Sequence, residues 1–514
     1  MQVCVQVADK TVNLNGGDRS NDLTRRLAPW ALAGICAIAF FGASWLTANL
    51  SPLRPDTASY LYFDPSRPIG YPAFLSLISF FGGPVLAVPV QMVLLAISLF
   101  LLGWSFYRWT GSAVLSVLFQ LALVASPEMW KFAAAMITEA PATAAVALWC
   151  AQLLNLLLKP SARGLYVLAA ISGVAVLVKP ALLPMFISTA VAAFLLQTRK
   201  ERTSALVVTG AALALTLAVT PLANLLLHGS PASGSPVARG ILQHTLFCPP
   251  SSVPADPDSA FVEQYSRTVR DYIEAAPDDV QPALKRLYTG KLRFGLIIPT
   301  LGRRHGLQAG WQTDELIGKI ARERLGANVN CYVASVIDTY LSLATYDSNT
   351  ATEARRIRNW LNAQPPPELP VARLLPQEEI LAVRAARDVG MAEPAWPGRQ
   401  EFEAPTGRPL LLVLPARALY GSAAIIGLAG MLLVFAGGKL SPDDRRLVVS
   451  IAALGITFHG VLGLTALVEL HLTRYTVPVW PVVCTLLALA GVELLKRSKY
   501  WVEGRRREPA AASA

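Results

Sequence analysis

Hydrophobic positions along the chain gather into long, almost uncharged runs: Ala28 to Leu50, Pro84 to Phe106, Ala113 to Ala125, Phe132 to Leu158, Gly164 to Leu196, Ala205 to Leu227, Ala418 to Ala436, Leu447 to Val468 and Thr476 to Leu495. Most approach the roughly 20 residues that carry a helix across a bilayer. Gly164 to Leu196 would make a single helix of about 50 Å. Lys179-Pro180 stands in its middle, and proline neither continues a helix nor favours one in its predecessor. The pattern predicts an all-α polytopic membrane protein of about ten transmembrane helices, two of them short and meeting at Lys179.

From His228 to about Arg408 the long apolar runs stop. A linker-like His-Gly-Ser-Pro-Ala-Ser-Gly-Ser-Pro opens this region, and a proline-rich tract from Glu393 to Pro409 closes it. Within it, amphipathic periodicity near Ala260 to Ala275, Val280 to Phe294, Thr313 to Leu343 and Gln377 to Met391 predicts a mostly helical domain.

The 514 residues are 53% hydrophobic and 15% charged, with a formal net charge of +11 and mean hydropathy +0.44. Soluble domains carry about 25% charge. Basic residues favour the cytoplasmic side. Crossing parity then puts Arg19, Arg25, Arg26, Arg108, Lys159, Arg163, Arg199, Lys200, Arg202, Lys439, Arg445, Arg446 and the cations from Lys496 to Arg507 inside. That asymmetry accounts for the positive charge without nucleic acid. The resulting organisation is a cytoplasmic N-terminus (1–27), a membrane region (28–227) whose first outside loop is 51–83, an outside helical domain (228–408), C-terminal membrane helices (409–497) and a basic cytoplasmic tail (498–514).

Only Arg54, Arg67, Lys131, Lys179 and Arg474 remain as cations in the short outside segments. They sit among Asp56, Asp64, Glu128, Glu139, Glu469 and His471. Ionisable groups at membrane depth are costly and usually face a cavity. Sugar transfer from a lipid phosphate needs a base for the acceptor hydroxyl and cations for the departing phosphate, and this set holds both.

Asp56 is the candidate base, beside Pro55 and near Tyr60, whose ring suits a sugar face; its plainer role is an N-cap over Thr57 to Ser59. Asp64, in Asp-Pro-Ser, reads as a turn residue. Arg67 begins Arg-Pro-Ile-Gly-Tyr-Pro, a stiff segment that includes Tyr71; its guanidinium suits a phosphate or a headgroup reached by snorkelling. Lys179 is a phosphate ligand or the ion-pair partner of Glu139. Glu139 orients an acceptor, binds a metal, or pairs with Lys131 or Lys179. Arg474 and Tyr475 close a cavity or belong to an interfacial aromatic belt. Cys248 and Cys331 share the outside domain, where an oxidising compartment would let them bond; two separate thiols are the other reading, since sequence fixes no Cα separation. P-loop, His-Glu-x-x-His and paired Cys-x-x-Cys motifs do not occur.

Asp56 after the first span, Arg-Pro-Ile-Gly-Tyr-Pro-Ala-Phe-Leu at 67–75, Thr-Glu-Ala-Pro at 138–141, Val-Lys-Pro at 178–180 and Arg-Tyr-Thr-Val-Pro-Val-Trp-Pro at 474–481 together resemble the GT-C superfamily. More narrowly, they look like bacterial relatives of the protein O-mannosyltransferases and lipid A aminoarabinose transferases. The resemblance covers roughly 25–228 and 410–497. It implies a GT-C-like bundle in a bacterial inner membrane, with a periplasm-facing site and an inverting transfer from a polyprenyl-phosphate-linked sugar to an envelope glycan, glycolipid or protein. Asp56 takes the catalytic role, with Glu139 beside it. Arg67, Lys179 and Arg474 match cavity positions suited to the donor phosphate, and Tyr60, Tyr71 and Tyr475 are the aromatic candidates for substrate. Thr57 stands where many relatives carry a second acidic residue, which leaves a divalent metal open; no other cofactor is implied. A lipid-diphosphate-dependent ligase or polymerase, and a lipid-linked sugar transporter or flippase, are the competing expectations.

Overall fold

A computed structural model describes residues 20–47, 57–196, 198–229, 231, 236–246, 248–249, 256–281, 301–302, 304–307, 313–346, 410–435, 440–468 and 473–507. Every regular element among them is helical. The N-terminal part comprises α1 (Ser20–Thr47), α2 (Thr57–Leu61), α3 (Gly70–Gly82), α4 (Ala87–Thr110), α5 (Ala113–Val124), α6 (Pro127–Ala133), α7 (Glu139–Leu158), α8 (Ala162–Val178), α9 (Pro184–Ala192) and α10 (Arg199–His228). Four more helices follow: α11 (Pro236–Thr245), α12 (Pro257–Glu274), α13 (Thr313–Ala327) and α14 (Val329–Ala344). The chain closes with α15 (Leu410–Phe435), α16 (Pro442–Val468) and α17 (Trp480–Arg507).

Seven described helical stretches are long and apolar enough to cross a membrane: Leu27–Thr47, Pro84–Thr110, Glu139–Leu158, Arg199–His228, Leu414–Val434, Pro442–Val468 and Arg474–Ser498. The other three of the ten expected crossings fall on shorter apolar helices, Ala113–Val124, Ala162–Val178 and Pro180–Leu195. Serine and threonine punctuate the short connections. Ser112, Ser126, Ser161 and Thr198 each accept a hydrogen bond from the backbone N–H three residues on, starting α5, α6, α8 and α10.

The bundle is built around α7, buried nearly all round, with Trp149 Nε1 donating to Thr189 Oγ1 of α9 at 3.1 Å. By contrast, α1, α10 and α15 keep Trp30, Trp45, Leu226 and Ile425 on their outer faces, as lipid contact demands. Small residues let α15 and α16 close: a Cβ at Gly455 would meet the Gly427 carbonyl oxygen at 2.5 Å, and one at Gly427 the Gly455 Cα at 2.9 Å.

Two expectations change. The apolar run Phe132 to Leu158 is not one helix, because α6 ends at Ala133 and α7 begins at Glu139. Side chains from elsewhere hold the intervening carbonyls: Gln91 Nε2 donates to Ala133 O at 2.8 Å and Ala135 O at 2.5 Å, and Thr57 Oγ1 donates to Met136 O at 3.0 Å. Likewise the amphipathic stretch Thr313 to Leu343 splits at Asn328, whose side-chain amide caps the Arg324 carbonyl at 3.2 Å. Of the other two amphipathic stretches, Gln377 to Met391 and nearly all of Val280 to Phe294 lie outside the described residues.

In the domain between the two membrane regions, Cys248 and Cys331 are joined by a disulfide with 5.8 Å between their Cα atoms. Arg324 of α13 ties three helices together, meeting Glu263 Oε2 of α12 at 2.6 Å and the Thr245 carbonyl of α11 at 2.8 Å. Arg239 and Asp314 link α11 to α13 at 2.5 Å.

Candidate functional site

The site is assembled from three chain breaks that meet at one end of the bundle. The first is the end of α8. Proline at 180 stops the helix, leaving Lys179 extended (φ −146°, ψ 102°) before a 3-10 turn over Pro180–Leu182. The second is the start of α7, where the 134–138 segment delivers Glu139 to the first turn. The third is the 3-10 segment Thr473–Val479 that precedes α17 and carries Arg474 and Tyr475.

These breaks bring Glu139, Lys179, Arg474 and Tyr475 together. Lys179 Nζ donates to Glu139 Oε1 at 3.3 Å, and Arg474 Nε approaches the same oxygen at 3.8 Å. Thr138 Oγ1 faces Glu139 Oε2 at 3.5 Å. The Tyr475 ring lies under both cations, 4.8 Å from Lys179 Nζ and 5.1 Å from the Arg474 guanidinium carbon, and Arg474 Nη2 donates to the Tyr475 hydroxyl at 3.2 Å. Glu139 and Lys179 are buried, whereas the Arg474 side chain keeps about a quarter of its surface open. Two cations thus converge on one carboxylate, and Arg474 is the more exposed of the two.

The first loop supplies a neighbouring wall. Its turn is built as the sequence suggests, with Asp64 Oδ1 accepting from Ser66 N at 2.8 Å and Asp64 O from Arg67 N at 2.8 Å. Arg67 points back onto α2: Nε donates to Ser59 Oγ at 2.8 Å and the guanidinium lies 4.8 Å over the Tyr60 ring. Tyr60 meets Tyr71 edge-on at 5.1 Å. Burial pushes the Tyr71 phenol upward, with the nearby Tyr60 and the Glu139 charge adding to the rise. The Tyr71 hydroxyl donates to Gln91 Oε1 at 3.1 Å.

Gly70 explains how this loop is seated. A Cβ there would lie 2.6 Å from the carbonyl carbon and oxygen of Leu177, so only glycine lets α3 begin against the last turn of α8, two residues before Lys179. At the other edge Asn224, near the end of α10, donates to the Pro65 carbonyl at 3.1 Å.

Asp56 lies outside the described residues, as do Glu469 and His471. Its successor Thr57 is buried and bonded to Met136, three residues before Glu139. Lys131 is exposed on α6, while Glu139 pairs with Lys179 and Arg474. Among the described residues no group of three or more His, Cys, Asp or Glu could hold a metal ion. Gln91, Thr57 and Gly70 were not singled out from the sequence. Gln91 was the discoverable one, as the only amide in the apolar run Pro84 to Phe106.

Separately, an open apolar groove of about 320 Å³ lies midway along α1 and α4, lined by Cys36, Phe40, Phe41, Ile97 and Phe100 among others. No protein-family model, curated protein or solved structure matches the chain.

Proposed function

We propose that the chain is an integral-membrane glycosyltransferase of GT-C type, acting at the periplasmic face of a bacterial inner membrane through a bundle of ten crossings. The observation that supports this most is the convergence of Lys179 and Arg474 on Glu139 over the Tyr475 ring. It combines cations, a carboxylate and an aromatic face at an interfacial break. On this reading, Arg474, the more exposed of the two cations, and Lys179 hold the phosphate of a polyprenyl-phosphate-linked sugar, and the apolar groove between α1 and α4 accepts part of an isoprenoid tail. Asp56 takes the proton of an acceptor hydroxyl on an envelope glycan, glycolipid or protein. The acceptor oxygen bonds to the anomeric carbon as the carbon–oxygen bond to phosphate breaks, and polyprenyl phosphate leaves with the electron pair. Glu139 sets the positions of both cations and orients the acceptor.

The test is mass spectrometry of envelope glycolipids and glycoproteins from cells lacking the chain, complemented with wild type, Asp56→Asn or Arg474→Gln. Wild type should restore the missing sugar in full, Arg474→Gln in part and Asp56→Asn not at all. Full restoration by Asp56→Asn removes the base assignment. Movement of a lipid-linked sugar across vesicles by the Asp56→Asn protein, with no transfer by wild type, would replace the enzyme with a flippase.

A further inference from the structure

From α14 we infer that the domain between the two membrane regions is not wholly outside the bilayer: this helix dips into the leaflet on the Val468 side of the bundle and turns its apolar stripe to lipid acyl chains. The depth follows from its contacts with α16. Tyr332, near the start of α14, donates to the carbonyl of Leu467 at the end of α16 (3.2 Å), while Tyr340 bonds His459 Nδ1 (2.5 Å). Eight residues along α14 correspond to eight residues back along α16, so the two helices run antiparallel. At 1.5 Å per residue, Tyr340 sits about 13 Å below the end of that span. Val461, Leu462, Thr465 and Ala466 line this part of α16 and are buried, with no charged residue among them.

The packing agrees. Leu343, Ala344 and Tyr346 belong to the same hydrophobic core as α7, α16 and α17, with Val336 and Tyr340 packed against it. Leu242, Phe261, Val262, Ile317 and Ile320 of α11 to α13 are buried outside that core. At the deep end Tyr346 adopts a left-handed backbone (φ 51°) that ends the helix, and its ring stacks on Tyr420 of α15 at 5.1 Å.

The opposite face carries the inference. Val329, Val333, Ile337 and Leu341, spaced four apart, are each 45–53% exposed. Leu414, Leu419 and Ile425 on α15 are also exposed, and the Gly427–Gly455 crossing puts them beside the same stretch of α16. The α14 stripe thus continues the depth of a lipid-facing surface. In water it would be an unpaid apolar patch; at this depth acyl chains cover it. Asp338 is exposed at the border of the stripe, about 100° round the helix from Ile337, and sets the edge that faces water.

The experiment places a photoreactive diazirine amino acid at 333, 337, 341 or 338, and at Arg322 of α13 as control, in the full chain reconstituted into phosphatidylethanolamine/phosphatidylglycerol nanodiscs. Phospholipid adducts are expected at 333, 337 and 341, with water-quenched product at 338 and 322. Water-quenched product at both 337 and 341 would make the stripe the wall of an aqueous vestibule and overturn the inference. Cross-links from those positions to protein alone would also overturn it. Labelling of Ile337→Cys by a membrane-impermeant maleimide checks the same point with a mild substitution: no labelling is expected, and rapid labelling overturns it.

Discussion

Two buried ion pairs, one in the membrane bundle and one in the helical domain beside it, have similar burial but different structure. Arg324 and Glu263 meet at 2.6 Å with 8% and 7% of their side-chain surfaces exposed, and the guanidinium is further bonded to Thr245 O. One cation meets one carboxylate, and the arginine clamps α11, α12 and α13. Lys179 and Glu139 meet at 3.3 Å with 10% and 4% exposed, and Arg474 stands 3.8 Å from the same carboxylate oxygen. Here the contacts are longer, two cations share one carboxylate oxygen, and the Arg474 side chain keeps about a quarter of its surface exposed. A short, neutral, enclosed pair suits holding helices together. A looser set, in which two cations crowd one carboxylate and one of them reaches the surface, suits contact with a ligand.

The largest effect that would test this contrast is on stability. Arg324→Met leaves Glu263 buried without its charge partner and should cost about 3–5 kcal/mol in equilibrium unfolding in mixed micelles. Lys179→Met should cost clearly less, because Arg474 still faces Glu139, while sugar transfer falls. Equal losses of stability would erase the distinction between the two pairs.

Next in size, Cys248→Ser with Cys331→Ser opens a loop of sequence separation 83, a change typically worth about 2–4 kcal/mol. Limited proteolysis should show faster cleavage within 236–346 and little change in α7 and α17. Gly70→Ala puts a methyl against the Leu177 backbone and should cost about 1–3 kcal/mol, as overpacking does, with reduced transfer from a displaced first loop. Gly42→Ala, whose added methyl meets nothing within 4 Å, is the control that should stay near wild type. The smallest change is Thr57→Val. It removes the bond to Met136 O and should lower stability by about 1 kcal/mol, visible as a small drop in the unfolding midpoint.

Much of the fold was readable from local rules. Run length announced the apolar helices, and Lys179-Pro180 announced the break between α8 and α9, because proline acts on its own turn. Asp64 was legible as a turn residue for the same reason. The interruption at 134–138 was not, since nothing local ends that apolar run; its carbonyls are held by Gln91 and Thr57, 42 to 79 residues away. Arg67 shows the limit from the other side: its prolines and glycine are visible in the sequence, but not that its guanidinium turns to Ser59 and Tyr60.

Composition and periodicity were therefore sufficient for an all-α chain with many apolar helices, and for the residue types from which a charged site could be made. They could not say which charges meet, because helix packing brings Lys179 and Arg474, 40 and 335 residues from Glu139 in sequence, within 4 Å of its carboxylate. Nor could they place α14, whose 16 residues include Asp338 and fall short of a membrane run. Its depth is set by Tyr332 and Tyr340 against α16, contacts between segments far apart in the chain.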